Sequence, residues 1–132
     1  MKYLLDTHYL LWSIADSNKI KKTTTNIIVD SNNLIAVSAI SFWEISLKYA
    51  IGKLEIEGFF PEDIPQLCSK MNFQLLTLSA KECSSYHQLA SNHHKDPFDK
   101  MLVWQAISND LTLITDDAEI KKYVSAGLKI LR

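Results

Sequence analysis

The stretch "KYLLDTHYLLWSIA", residues 2–15, changes character at a single acid. Lys2–Leu5 is a short apolar run of strand type, Thr7–Ala15 reads as a helix, and Asp6 stands at the junction. The same alternation continues down the chain. "LIAVS" (Leu34–Ser38), "QLLTL" (Gln74–Leu78), "LTLIT" (Leu111–Thr115) and "LKIL" (Leu128–Leu131) read as further strands. Helical patterns lie between them at Lys19–Ser31, Ala39–Ile51, Pro61–Met71, Ala80–Ala90, Pro97–Asn109 and Asp117–Ser125. Strand and helix in turn predict an α/β fold, a mainly parallel central sheet flanked by helices on both faces. "GKLEIEGFFPED" (Gly52–Asp63) is the most loop-like section. No repeat and no composition break divides residues 1–132, so one domain is expected.

Composition narrows the function classes. A chain that is 47% hydrophobic and 22% charged can bury a real core and is not of disordered type. Its formal net charge of −1 announces no global basic field for nucleic acid, although a local cleft can differ from the whole. Cys68 and Cys83 form no CxxC pair, so a thiolate zinc site is disfavoured and a reducing cytoplasm fits. The apolar stretch Tyr3–Ala15 is interrupted by Asp6 and His8 and is shorter than the roughly 18–20 residues of a membrane span. No membrane association and a cytoplasmic location are therefore expected.

In an open parallel sheet, ligands bind beyond the carboxyl ends of the strands, near the point where strand order reverses. Acids recur at those places: Asp6 after the first strand, Glu44 on the helix after the second, Asp116 and Asp117 after the fourth. Asp96 and Asp99 open the helix before the fourth strand. Each has a plain structural reading. Asp6 can cap its helix. Glu44 sits beside Ile40 on the face formed by Ile40, Trp43, Leu47 and Ile51, and can pair with Lys48 at i,i+4. Asp96-Pro97 reads as an N-cap followed by proline at the first helical position. Asp99 can also serve the cap, but it projects on the side of Leu102, Val103 and Ala106, so it is assigned to function and Asp96 to structure. One of Asp116 and Asp117 caps the next helix, and Thr115 offers a hydroxyl as ligand or cap. Adjacent His93 and His94 do not have zinc-ligand spacing. Taken together, four acids at one sheet end call for a hard cation held by oxygen, Mg²⁺ or Mn²⁺, and for hydrolysis of phosphate esters.

Four stretches, "LLDTH", "SAISFWEIS", "HHKDPFDKMLVWQA" and "LTLITDD", in this order, resemble the PIN-domain family, and more narrowly its VapC-type toxins from toxin–antitoxin pairs. The resemblance covers essentially the whole chain. It implies a Mg²⁺-dependent endoribonuclease that cuts RNA with a metal-activated water. It places the metal-binding and catalytic acids on Asp6, Glu44, Asp99 and Asp117, with Asp96 and Asp116 secondary and Thr7 and Thr115 as small hydroxyl positions. It also implies a homodimer and a cognate antitoxin protein. Lys48 and Lys53, one and two turns beyond Glu44, are candidates for contacts to RNA phosphates. The chain departs from the pattern at Lys95 and Lys100, where arginine is common, at the bulky Trp104, and at the extra acid Asp116.

Three rivals follow. A receiver-type signalling domain wants paired acids after the first strand and an aspartate after the third, but only Asp6 follows the first and "QLLTLSA" carries no acid. The same fold could serve RNA processing or DNA flaps instead of toxicity. It could also be catalytically silent and kept for protein association, for which the aromatic side of the Glu44 helix is suited.

Overall fold

The structure is a computed structural model that describes residues 1–89 and 96–131. His93, His94 and Lys95, and with them the zinc question, lie outside the described residues. Among the described residues five strands form one sheet in the order β3-β2-β1-β4-β5: β1 (Lys2–Leu5), β2 (Leu34–Ser38), β3 (Gln74–Leu76), β4 (Thr112–Ile114) and β5 (Lys129–Leu131). Every pairing is parallel. The chain leaves β1 toward β2 and β3, then returns to place β4 on β1's other side, so strand order reverses between β1 and β4.

Among the described residues seven α-helices lie between the strands: α1 (Thr7–Ala15), α2 (Lys22–Val29), α3 (Ala39–Ala50), α4 (Ile64–Lys70), α5 (Ala80–Ser85), α6 (Pro97–Ser108) and α7 (Ala118–Lys121). Alternation along the strands sends side chains to two cores. Tyr3, Leu5, Ile35, Val37 and Ile114 point to one face, where they pack with Tyr9, Leu10, Ile45 and Ile64. Leu4, Ala36 and Leu113 point to the other, where they meet Leu102, Val103, Ala106 and Ile120. Helices therefore cover both faces, as the near-continuous apolar strands require.

Strands 1 and 2 and the first helix match the sequence reading residue for residue, and the other elements are shorter. The expected helix at Lys19–Ser31 begins only at Lys22, after a 3₁₀ turn over Ser17–Lys19. Those at Ala80–Ala90 and Asp117–Ser125 tighten into 3₁₀ turns after Ser85 and Lys121. Short polar-rich segments close their last turns this way when little apolar surface rewards continuing.

One buried polar network ties the second face together. Ser79 caps α5 reciprocally with Glu82: Glu82 N donates to Ser79 Oγ (3.0 Å) and Ser79 N to Glu82 Oε1 (2.9 Å). Gln105 on α6 and Asn109 at its C-cap donate to the same carboxylate, at 3.2 and 2.7 Å, and Ser38 at the end of β2 bonds Gln105. Burial pushes the Glu82 carboxyl up, but these donors outweigh it and hold it below its ordinary value. Glu82 thus adds stability above the unfolded carboxyl pKa that is lost as pH falls through its lower folded value. Glu82→Ala strands three donors and should cost about 2–3 kcal/mol in urea unfolding at neutral pH, with Glu82→Gln losing less. An unchanged midpoint for Glu82→Ala would show that the network contributes nothing.

Candidate metal centre

Leu5 pairs with Ile114, which sets the next residue of each strand, Asp6 and Thr115, side by side at the carboxyl edge. Asp6 N donates to Ile114 O (3.1 Å), extending the ladder by one bond. The Asp6 side chain then caps α1, with Oδ1 accepting from Tyr9 N at 2.8 Å. The structural reading of Asp6 is therefore true, and it does not exclude the functional one. Asp6 is only 4% exposed, and burial raises its carboxyl pKa against the opposing hydrogen bonds from Thr115 and Tyr9.

The helix α3 corrects the sequence reading. The expected face of Ile40, Trp43, Leu47 and Ile51 is not the packed one: Trp43 and Ile51 are 59% and 58% exposed. The buried stripe is Ile40, Ser41, Glu44 and Ile45, so Glu44 lies at 4% exposure within the core face and not on its rim. The helix is apolar all round, so hydrophobicity alone could not choose the stripe. Polar partners make the burial tolerable. The Thr7 hydroxyl donates to Glu44 Oε1 at 2.7 Å and lies 2.9 Å from Ser41 Oγ. Lys48 Nζ donates to Glu44 Oε2 at 2.6 Å. That bond, opposed by burial, raises the Lys48 pKa, and Asp96 and Asp99 add to the rise.

Asp96 caps α6, accepting from Phe98 N (2.9 Å) and Asp99 N (3.3 Å), which is the structural role read for it. Asp99, half-buried, is pushed up to about 7, first by burial and then by the negative charges of Asp96, Glu44, Asp117 and Asp6. Asp117 caps α7 through Glu119 N (2.8 Å), and its own N–H donates to the buried Thr115 hydroxyl (3.1 Å). Asp116 is exposed. Asp6, Glu44, Asp99 and Asp117, distant in sequence, therefore share one electrostatic neighbourhood. Trp104 donates to Ser85 Oγ (3.1 Å), and Lys100 lies over the Tyr86 ring (5.5 Å); both departures from the family pattern engage the α5 side.

Two hollows adjoin the acids. One, of about 180 Å³, is lined by Thr7, His8, Leu11, Glu44, Ile45, Lys48, Lys53 and Leu54. The other, of about 270 Å³, is lined by Asp6, His8, Tyr9, Trp12, Asp116 and Asp117. His8 and Trp12 were not singled out in the sequence, although their i,i+4 spacing just after Asp6 was the available signal.

The donor set fits a hard divalent cation, since carboxylates and hydroxyls select Mg²⁺ or Mn²⁺ over softer metals. The Asp99 carboxyl is raised first by burial and then by like-charge crowding, and a cation relieves the second. Among the described residues no three His, Cys, Asp or Glu side chains stand as a ready-made cage. Oδ1 of Asp6 and of Asp117 is committed to a helix cap, and Glu44 is committed to Lys48 and Thr7. Such a set suits Mg²⁺, which keeps several waters and takes one or two carboxylates directly.

Comparison with known proteins adds to this geometry. No curated protein sequence matches the chain. Among solved structures, VapBC2 from Rickettsia felis bound to a promoter DNA fragment is similar, with 21% identity, TM-score 0.71, and 99% of this chain and 98% of that one covered. VapBC-1 from nontypeable Haemophilus influenzae aligns at 20% identity and TM-score 0.70, covering 99% and 97%. DNA-bound VapBC from Salmonella typhimurium aligns at 17% and 0.68, also covering 99% and 97%. At these identities the likeness speaks for the fold. The model of the PIN domain matches residues 3–125, nearly the whole chain. This chain belongs to the PIN domain family.

Proposed function

We propose that this protein is a Mg²⁺-dependent endoribonuclease, the toxin of a type II toxin–antitoxin pair. The observation that carries the reading is the gathering of Asp6, Glu44, Asp99 and Asp117 where strand order reverses, with Asp99 driven up to about 7 by burial and by neighbouring acids. Carboxylates so crowded are costly unless a cation is shared among them. Asp6 and Asp99 are the principal metal ligands, and Asp117 and Glu44 complete the site directly or through water. Mn²⁺ substitutes for Mg²⁺. Bound there, the cation supplies a water of lowered pKa and neutralises charge on the leaving oxygen.

The chain's own residues do the rest. Asp6 and Asp117 are held rigid by the helix caps they make. Glu44, fixed by Thr7, orients the attacking water. Lys53 is exposed at the mouth of the hollow that Lys48 lines, where a phosphate of the substrate meets positive charge. Three of the similar solved structures are VapBC assemblies, two of them holding DNA. That supports a cognate antitoxin as partner here, and the exposed Trp43, Tyr49 and Phe60 offer apolar surface for it. No helix of the described residues is long and apolar enough to cross a membrane. A homodimer acting in the cytoplasm completes the proposal.

Purified protein freed of its partner should cut a labelled RNA pool with Mg²⁺ or Mn²⁺ and stop with EDTA. Asp99→Asn should fall to the EDTA level while keeping its fold. Full activity in a folded Asp99→Asn protein would remove this assignment, and metal-independent cleavage would remove the metal.

The Asp99 carboxyl gives a second test. Between its ordinary 3.8 and about 7, the folded metal-free protein keeps a proton that the unfolded chain has lost. Stability of the metal-free protein should therefore fall as pH rises through that window, and metal affinity should rise as the proton leaves. Thermal melts with and without Mg²⁺ at pH 5 and pH 8 should show a larger Mg²⁺ shift at pH 8. In Asp99→Asn, metal-free melting at pH 8 should be raised above wild type. Equal Mg²⁺ shifts at both pH values would refute this account of Asp99.

A further inference from the structure

The two hollows beside the acids differ in chemistry. The one lined by Lys48 and Lys53 is cationic at its edge and suits phosphate. The other holds three carboxylates, of Asp6, Asp116 and Asp117, and among the described residues no lysine or arginine, so its edge accepts hydrogen bonds. Its remaining lining is aromatic: His8, Tyr9 and Trp12. Trp12 is half-buried against the core, with an edge-to-face contact to Tyr9 at 5.1 Å, while His8 is exposed. The His8 and Trp12 rings stand 6.0 Å apart at 43°, neighbours on one face of α1 without stacking flat on each other. At about 270 Å³ the hollow falls just below the roughly 300–1,000 Å³ of sites for drug-sized ligands, the scale of one flat ring system.

We propose that this hollow is a nucleobase subsite: a base of single-stranded RNA stacks on Trp12 and His8, with its amino edge turned to Asp116, while the backbone passes toward Lys48 and Lys53. The inference rests on the nuclease reading of the same centre. Carboxylates accept hydrogen bonds and cannot donate them, so the exocyclic amino groups of adenine, cytosine and guanine match the hollow's edge. Uracil has no exocyclic amino group and flanks its single N3–H with carbonyl oxygens, so it is disfavoured. A paired base cannot enter, because its face is covered by neighbours and its edge is used. His8 lines both hollows, which makes α1 the ridge between base and backbone.

The test uses Asp99→Asn protein, which has one carboxylate fewer to repel the strand, and short RNAs carrying 2-aminopurine, whose fluorescence is quenched by stacking. The full chain should bind a single strand with quenching at one position, bind the matching duplex more weakly, and prefer oligo-A or oligo-C to oligo-U. Trp12→Leu keeps apolar volume for the fold but removes the stacking face. It should weaken binding by roughly 5- to 150-fold, as expected for one lost stacking partner, and abolish the quenching. Trp12→Phe should restore much of both. Asp116→Asn should shrink the preference over oligo-U. Duplex bound as well as single strand, or quenching unchanged in Trp12→Leu, overturns the subsite. So does a failure of any single strand to bind. Cleavage by the wild-type protein is scored separately. If it cuts RNA but shows no quenching, the subsite alone falls; if it binds and quenches but never cuts, the nuclease reading falls.

Discussion

The pairing of Leu5 with Ile114 is the constraint on which the rest of this molecule depends. Parallel register makes the residue after each strand a neighbour, so Asp6 and Thr115 meet without any long side chain having to reach. Each acid beyond a strand also begins a helix, and the cap bonds of Asp6 and Asp117 fix both carboxylates against backbone N–H groups. A slip of one residue would turn Leu5 from one core to the other and move Asp6 off the edge. Burial on both faces, by Leu4 and Leu5 alike, forbids that slip. The packed sheet is what makes the acidic edge permanent.

Packing also explains how much was legible in the sequence. Strand–helix alternation was plain because five apolar runs are separated by helical patterns, and the boundary between β1 and α1 follows directly from Asp6 as a cap. The ends of α2, α5 and α7 were not, since a 3₁₀ turn and an α-turn want the same residues and tertiary contacts decide between them. The acids at the sheet edge could be found by position alone. The environment of Glu44 could not: α3 is apolar on every side, and only its docking against Thr7 and Ile45's neighbours selects the stripe that is buried. Likewise Asp116 and Asp117 are indistinguishable as letters. In the structure Asp117 caps α7 and acts on Asp6 and Asp99, while Asp116 stays exposed.

The centre and the Glu82 network show two ways of burying a carboxylate. Glu82 is surrounded by donors from Ser79, Gln105 and Asn109, and its pKa falls; the interaction joins α5 to α6 and favours the fold. Asp99 is half-buried among other acids, and burial first and their charges second raise its pKa. Identical chemistry thus stabilises in one place and opposes folding in the other. A sheet of this size tolerates the second because the first, together with two apolar cores, offsets it. Destabilisation confined to one edge is what a binding centre requires.

Lys48 refines that contrast. It supplies a cation among the acids, 2.6 Å from Glu44 Oε2, and Asp96 and Asp99 act on it as well. The other Glu44 oxygen is held by Thr7. Both oxygens are therefore committed to hydrogens, and a divalent ion approaching Glu44 has to share Oε2 with an ammonium or displace it. Under the proposed reading, that commitment leaves Glu44 to act through water. Lys48 lines, together with Glu44 and Lys53, the hollow beside the centre. Glu44 and Lys48, one turn apart on one face of α3, thus present both signs of charge at the same edge of the sheet.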